Sequence, residues 1–307
     1  MITADIHHIT RLRINSDGDG VRSVIFVHGC PLNCFWCCNP ETRFTDNFKT
    51  LTPEQLNDYI KKDKPYFQKS NGGVTFCGGE PLLYADFIEE YIKEYCTDFS
   101  VNIETSLYVE QTQLIKLLPL VNEWYIDFKI FDEQKHIEYT GRSNELIKEN
   151  LRFLTKKIDL KKIVITFPMI TDYNTSAHDM DDMITFLKSL GIYRIALHPY
   201  RKEAEDKQNK LGLIPTNVSE VNSKLHQSII QKLVENDFKT VERTILVEKE
   251  KCNFLKHIRK EICNRNGIKL DIRDCSYEGR CTGTCPQCEF ELSTINNYIS
   301  IRSCEED

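Results

Sequence analysis

Short apolar runs alternate with amphipathic stretches along most of this chain, and the two periods predict alternating strands and helices. Runs rich in apolar and β-branched residues over 21–27, 74–77, 100–105, 124–128, 162–167 and 194–198 predict six strands. Apolar positions three and four apart predict helices over 85–96, 110–118, 144–155 and 178–190. Another helix opens at Thr52-Pro53-Glu54-Gln55, where Thr52 can cap and Pro53 suits the first helical position. Such β/α alternation predicts an α/β fold of parallel strands with helical crossovers, as an open sheet or a barrel. In both, ligands gather at the carboxyl ends of the strands.

Past residue 200 the pattern changes. Residues 202–210 are charged and read as an irregular surface connection, followed by a helix near 218–236, a strand near 241–247 and a helix near 252–264. From 271 to 304 cysteine and glycine rise. This predicts a main unit over 1–240 and a small cysteine-rich extension over 241–307.

Composition narrows the function classes. A chain of 307 residues can bury a sizeable core, and its net charge of −6 argues against nucleic acid as an obligatory partner. The basic run Lys156-Lys157…Lys161-Lys162 is short and reads as a solvated face. No apolar segment approaches the length needed to cross a membrane. The 13 cysteines are an odd number, and no apolar leader precedes them, which predicts a cytoplasmic chain without a disulfide framework. Thiols in that number point to metal centres, and exposed iron–sulfur clusters to an anaerobic setting.

The candidate chemistry begins at Cys30, Cys34 and Cys37, spaced C-x3-C-x2-C at the exit of the first apolar run. Three thiolates on one loop can hold three corners of a 4Fe-4S cluster and leave one iron open. Zinc is the alternative, but closed zinc sites want four ligands. Cys38 is adjacent, and adjacent residues rarely reach one metal together. Gly78-Gly79-Glu80 follows the second strand candidate; glycines there mark a tight turn or let a ligand approach the backbone. Asp127 and Lys129 lie two apart on a strand, so both project to one side, as an ion pair or as ligand contacts. Near the end, Cys275, Cys281, Cys285 and Cys288 could hold an auxiliary 4Fe-4S cluster or zinc, with Cys252, Cys263 or Cys304 able to replace a ligand.

The surrounding residues resemble the radical SAM superfamily and, within it, the activating enzymes of glycyl radical enzymes, typified by pyruvate formate-lyase activating enzyme. The resemblance rests on Asp17-Gly18-Asp19-Gly20-Val21-Arg22, the cysteine triplet with Trp36 inside it, and Asn39-Pro40-Glu41-Thr42. It continues through Gly72-Gly73-Val74-Thr75-Phe76-Cys77-Gly78-Gly79-Glu80, Asp127-Phe128-Lys129 and Tyr139-Thr140-Gly141.

The resemblance implies a partial (β/α)6 TIM-like barrel that binds S-adenosylmethionine at the open iron. It further implies reductive cleavage to methionine and a 5′-deoxyadenosyl radical, and hydrogen abstraction from a glycine of a partner enzyme. A glycyl radical enzyme would be the protein substrate, and flavodoxin or ferredoxin the electron donor. By the same likeness Gly78 and Gly79 receive the methionine amino group, with Glu80 bonding to it or bracing the turn. Asp127 takes the ribose hydroxyls, Lys129 the methionine carboxylate, and Trp36 lies near the adenine. Tyr200 and Arg201 are further contacts. Thr166 stands where relatives often have arginine, and Arg201 where a histidine is expected. The alternatives are a radical SAM enzyme that modifies a peptide or other substrate directly, using a C-terminal cluster, or a non-catalytic scaffold.

Overall fold

The computed structural model describes residues 2–214, 216, 218–242, 248–275 and 282–303. Among these residues nine strands form one sheet: β1 (Ala4–Ile14), β2 (Val21–Val27), β3 (Lys49–Leu51), β4 (Gly73–Gly78), β5 (Ser100–Thr105), β6 (Glu123–Asp127), β7 (Ile163–Met169), β8 (Arg194–Pro199) and β9 (Lys239–Thr240). Their order is β3-β1-β2-β4-β5-β6-β7-β8-β9. From β2 to β9 every pairing is parallel, whereas β1 runs antiparallel to β2 and β3. The six predicted strands are β2, β4, β5, β6, β7 and β8, joined by helices into an open, barrel-like sheet.

Alternation along each strand sorts the side chains. Ile25, Phe76, Ile103, Trp124, Ile126, Ile165 and Ile195 point to the helices and are buried in the main core. The concave face carries two small clusters, Val24, Phe26 and Cys77 in one and Tyr125, Val164 and Ala196 in the other. In register, Asp127 stands opposite Thr166 and Pro168 opposite His198. The concave surface therefore becomes polar at the strand ends, where a ligand can sit.

Local signals place the helix ends. Thr52 and Gln55 form a reciprocal capping box on the helix Pro53–Ile60. Asp132 caps Glu133–Thr140, and Gly141, at φ 75°, ends it.

The structure departs from the sequence reading in particular places. Residues 202–210 are not irregular: Glu203–Lys210 is a helix. Alternating charges hid it, because its inward face is mostly polar. A short β9 at 239–240 precedes the strand expected near 241–247, of which residues 243–247 lie outside the described ones. The long strand β1 had no counterpart in the prediction.

The extension packs back on the barrel. Helices Glu248–Asn266 and Pro286–Ser303 contribute Leu255, Ile258, Ile262, Leu292 and Ile295 to a second core with Leu12, Ile14, Val21 and Tyr66. Among the described residues no helix is long and apolar enough to cross a membrane.

Candidate functional site

The cysteine loop leaves β2 and is tied at both flanks. The Asn33 amide donates to the Thr140 carbonyl at 2.7 Å, and the Phe35 amide to that of Tyr139 at 2.9 Å. On the other flank Lys207 Nζ donates to the Cys38 carbonyl at 2.8 Å, Asn39 Oδ1 at 3.2 Å and Glu41 Oε1 at 2.7 Å. Gln208 Nε2 donates to the Phe35 carbonyl at 3.1 Å. The helix missed in the sequence is thus the clamp on the loop.

Cys30, Cys34 and Cys37 all face one cavity of about 960 Å³ at the carboxyl ends of the strands. Burial pushes the thiols of Cys30 and Cys34 up to about 12 and raises that of Cys37. Thiolates here need a positive partner. Among the described residues no three His, Cys, Asp or Glu side chains converge as a single metal ion requires. Three thiols facing one cavity from a single loop suit the broader 4Fe-4S core instead.

Gly78 and Gly79 line the same cavity. A Cβ on Gly79 would fall 1.9 Å from the Gly29 carbonyl oxygen, and one on Gly78 2.6 Å from the Val27 nitrogen. The pair exists because β4 ends hard against the root of the cysteine loop; Gly78 also holds φ at 112°. Glu80 has a different part. It is fully buried, and its carboxylate accepts from Thr105 Oγ1 at 2.5 Å, the Leu82 amide at 3.2 Å, and the Ser106 amide and hydroxyl at 2.9 and 2.6 Å. These four donors make Glu80 the brace of the turn. Burial still raises its pKa despite them.

Asp127 and Lys129 do share a side. Lys129 Nζ lies 2.7 Å from Asp127 Oδ2, and Thr166 Oγ1 donates to Asp127 Oδ1. Burial disfavours the charge on each. Lys129 outweighs it at Asp127 and holds the carboxyl below its ordinary value, while Asp127, helped by Cys34 and Cys30, holds the ammonium above its own. Thr166, where an arginine was expected, orients the carboxylate without adding charge.

Trp36 and Tyr200 pack with Ile130 and Ile170 in one small cluster on the cavity wall, so each serves both core and lining. The Tyr200 hydroxyl is shared with Thr216 Oγ1 at 2.5 Å. Arg201 is exposed at the rim. The sequence reading missed Glu104 on β5, which also lines the cavity; its only signal was a carboxylate near a strand end.

Of the C-terminal cysteines, Cys275, Cys285 and Cys288 are described and free, whereas Cys281 lies outside the described residues. None of the three lines the cavity.

The model of the radical SAM superfamily matches residues 24–187. The chain is 29% identical over 260 residues to a 4-hydroxyphenylacetate decarboxylase activating enzyme of Clostridioides difficile (strain CD196), covering 64% of this chain and 82% of that protein. It is 30% identical over 223 residues to a pyruvate formate-lyase-activating enzyme of Staphylococcus aureus (strain USA300), covering 69% and 87%. Among solved structures, Streptococcus suis SuiB bound to precursor peptide SuiA shares the fold at a TM-score of 0.54 and 14% identity, over 71% of this chain and 48% of that one.

Proposed function

The chain belongs to the radical SAM superfamily, and from that premise we propose that it is an activase that installs a glycyl radical on a partner enzyme. One observation carries the reading: the three loop cysteines, the glycine pair and the Asp127–Lys129 pair all line a single cavity in an open sheet. The two activating-enzyme relatives support the choice of substrate class.

Cys30, Cys34 and Cys37 would hold a 4Fe-4S cluster, with S-adenosylmethionine beside it. When bound, these groups supply one-electron cleavage of a sulfonium and hydrogen abstraction from a glycine α-carbon. The protein's own residues bind and orient. Carbonyls around Gly78 and Gly79 accept from the methionine ammonium, and Glu80 keeps that turn rigid. Lys129 neutralises the methionine carboxylate; Asp127, aimed by Thr166, accepts from the ribose hydroxyls. Trp36 and Tyr200 wall the adenine side, and Arg201 stands at the rim. The unclosed sheet leaves room for a partner loop. Electrons would come from flavodoxin or ferredoxin.

The test is anaerobic co-incubation of the reconstituted, reduced protein with S-adenosylmethionine and a candidate glycyl radical enzyme. An organic doublet in the electron paramagnetic resonance spectrum, located on the partner chain and absent with Cys34→Ala, is the expected result. 5′-Deoxyadenosine formed without any radical on partners drawn from several classes overturns the activase reading and leaves the family intact.

A further inference from the structure

The loop that carries Cys30, Cys34 and Cys37 has two faces, and the proposed chemistry uses one of them. Cys30, Leu32 and Cys34 line the cavity, whereas Pro31 and Asn33 between them do not. Asn33 is exposed. A single layer of chain therefore separates the cavity from the outer surface here.

Two guanidinium groups sit on that outer face. Arg43 Nη1 donates to Asn33 Oδ1 at 2.7 Å, and Arg142 Nε to the Pro31 carbonyl at 3.3 Å. Among the described residues neither arginine forms an ion pair. Neighbouring carboxylates are engaged elsewhere: Glu41 with Lys207, Glu133 with the Ser143 hydroxyl and Glu145 with Lys148. Asp46 and Glu138 are exposed close by in the chain, and neither pairs with Arg43 or Arg142. In a chain of net charge −6 this is a local reversal of sign.

Large apolar side chains surround the pair. Phe44 is 47% exposed, and its ring centre lies 4.8 Å from the Arg43 guanidinium carbon. Leu83 is 48% exposed and packs beside Gly29, where a Cβ would fall 3.6 Å from Leu83 Cδ1. The Gly29 amide donates to the Thr42 carbonyl at 2.8 Å, which joins Leu83 to the turn of Arg43 and Phe44. Ile137, 41% exposed, stands one turn before Gly141 on the helix Glu133–Thr140, whose last carbonyls hold the loop. Exposed apolar side chains interleaved with arginine have the composition of a protein-docking patch.

The position of the patch indicates its partner. In the proposed function S-adenosylmethionine and the partner loop take the cavity side, so the electron must arrive from elsewhere. Electron transfer weakens steeply with distance, and the outer face brings a docked molecule to within one layer of chain of the cysteine ligands. Its uncompensated positive charge selects a carrier that is acidic around its redox group. Its limited extent suits the small, short-lived interfaces of electron-transfer proteins.

We propose that the outer face of the cysteine loop, centred on Arg43 and Arg142 and flanked by Phe44, Leu83 and Ile137, docks an acidic one-electron carrier protein. The carrier is oxidised by one electron, which passes through the loop to the cluster behind it, and no bond is made or broken at this surface. The proposal rests on the cluster assigned above to Cys30, Cys34 and Cys37, and not on the choice of a glycyl radical partner.

The test is stopped-flow mixing of the reconstituted protein with a reduced flavodoxin as the acidic carrier, alongside the affinity of the two proteins measured by titration calorimetry. Arg43→Glu combined with Arg142→Glu should slow association about tenfold or more at low salt, weaken binding, and flatten the dependence on ionic strength. Lys156→Glu combined with Lys157→Glu makes the same change in net charge on exposed residues after the helix Glu145–Thr155, at the other end of the sheet, and should alter neither. Dithionite needs no docking and should reduce all these proteins alike. Arg142→Glu alone, which removes a single 3.3 Å bond, should already slow association, and it decides the matter where the double variant fails to hold iron. Association unchanged in the arginine variants, an equal loss in the lysine pair, or a parallel loss with dithionite overturns the proposal. So does a glycyl radical yield that falls in the arginine variants under dithionite, which would assign the face to the partner enzyme. Absence of a glycyl radical on every partner tried strikes the activase reading and leaves the binding result standing.

Discussion

Lys207 Nζ lies 2.8 Å from the carbonyl oxygen of Cys38, across 169 residues of chain. The contact ties the helix after β8 to the loop after β2, so the far end of the sheet holds the cysteine triplet in place. A hydrogen bond from a charged group is worth about 1.5–3 kcal/mol, and Lys207 makes three to this loop.

Lys207→Met should therefore loosen the loop without unfolding the barrel. Iron release to a chelator from the reconstituted protein should accelerate about tenfold or more, given that range of energies. An unchanged release rate would show that the clamp is ornamental.

Lys129→Met removes the cation from a partly buried pair and strands Asp127. Because Asp127 remains partly open to the cavity, the cost should sit at the low end of that for a broken buried pair, about 3 kcal/mol. Adding Asp127→Asn should recover part of the loss, as read by denaturant unfolding. The pH dependence follows from the lowered Asp127 value: its contribution is fully present above the ordinary 3.8 and is lost as pH falls through the lower folded value. In Lys129→Met that acid-labile contribution is absent and burial favours the protonated Asp127, so the deficit against the parent should be largest near neutral pH and shrink as pH falls.

Gly79→Ala places a methyl group 1.9 Å from the Gly29 carbonyl, which is backbone and cannot step aside. Overpacking of this kind costs about 1–3 kcal/mol, and the strain falls one residue before Cys30. Cluster loading should drop more than global stability does; equal losses in both would count against a specific role for the close approach.

Glu80→Gln keeps the volume but replaces one acceptor oxygen with an amide donor, facing Thr105 and Ser106 hydrogens or Leu82. At least one backbone amide or hydroxyl then loses its acceptor in a buried site, at about 1–3 kcal/mol. Thermal unfolding should shift down. Affinity for S-adenosylmethionine should fall less than in Lys129→Met, since Glu80 braces the turn and Lys129 faces the cavity.

What the chain alone determined were the features with a local period or a short spacing. Strands β2 and β4 to β8 appear as apolar runs because each is buried on its convex face, and the triplet Cys30, Cys34 and Cys37 lies within a single loop. Tertiary structure decided the rest. The helix Glu203–Lys210 is built on contacts that Lys207 and Gln208 make with a loop more than 160 residues away. Glu80 became a brace because Thr105 and Ser106 arrive from the next strand, and Arg259 met Cys288 and Glu291 because two distant helices pack together. Periodicity records which face of an element is buried; it holds no record of which distant element buries it.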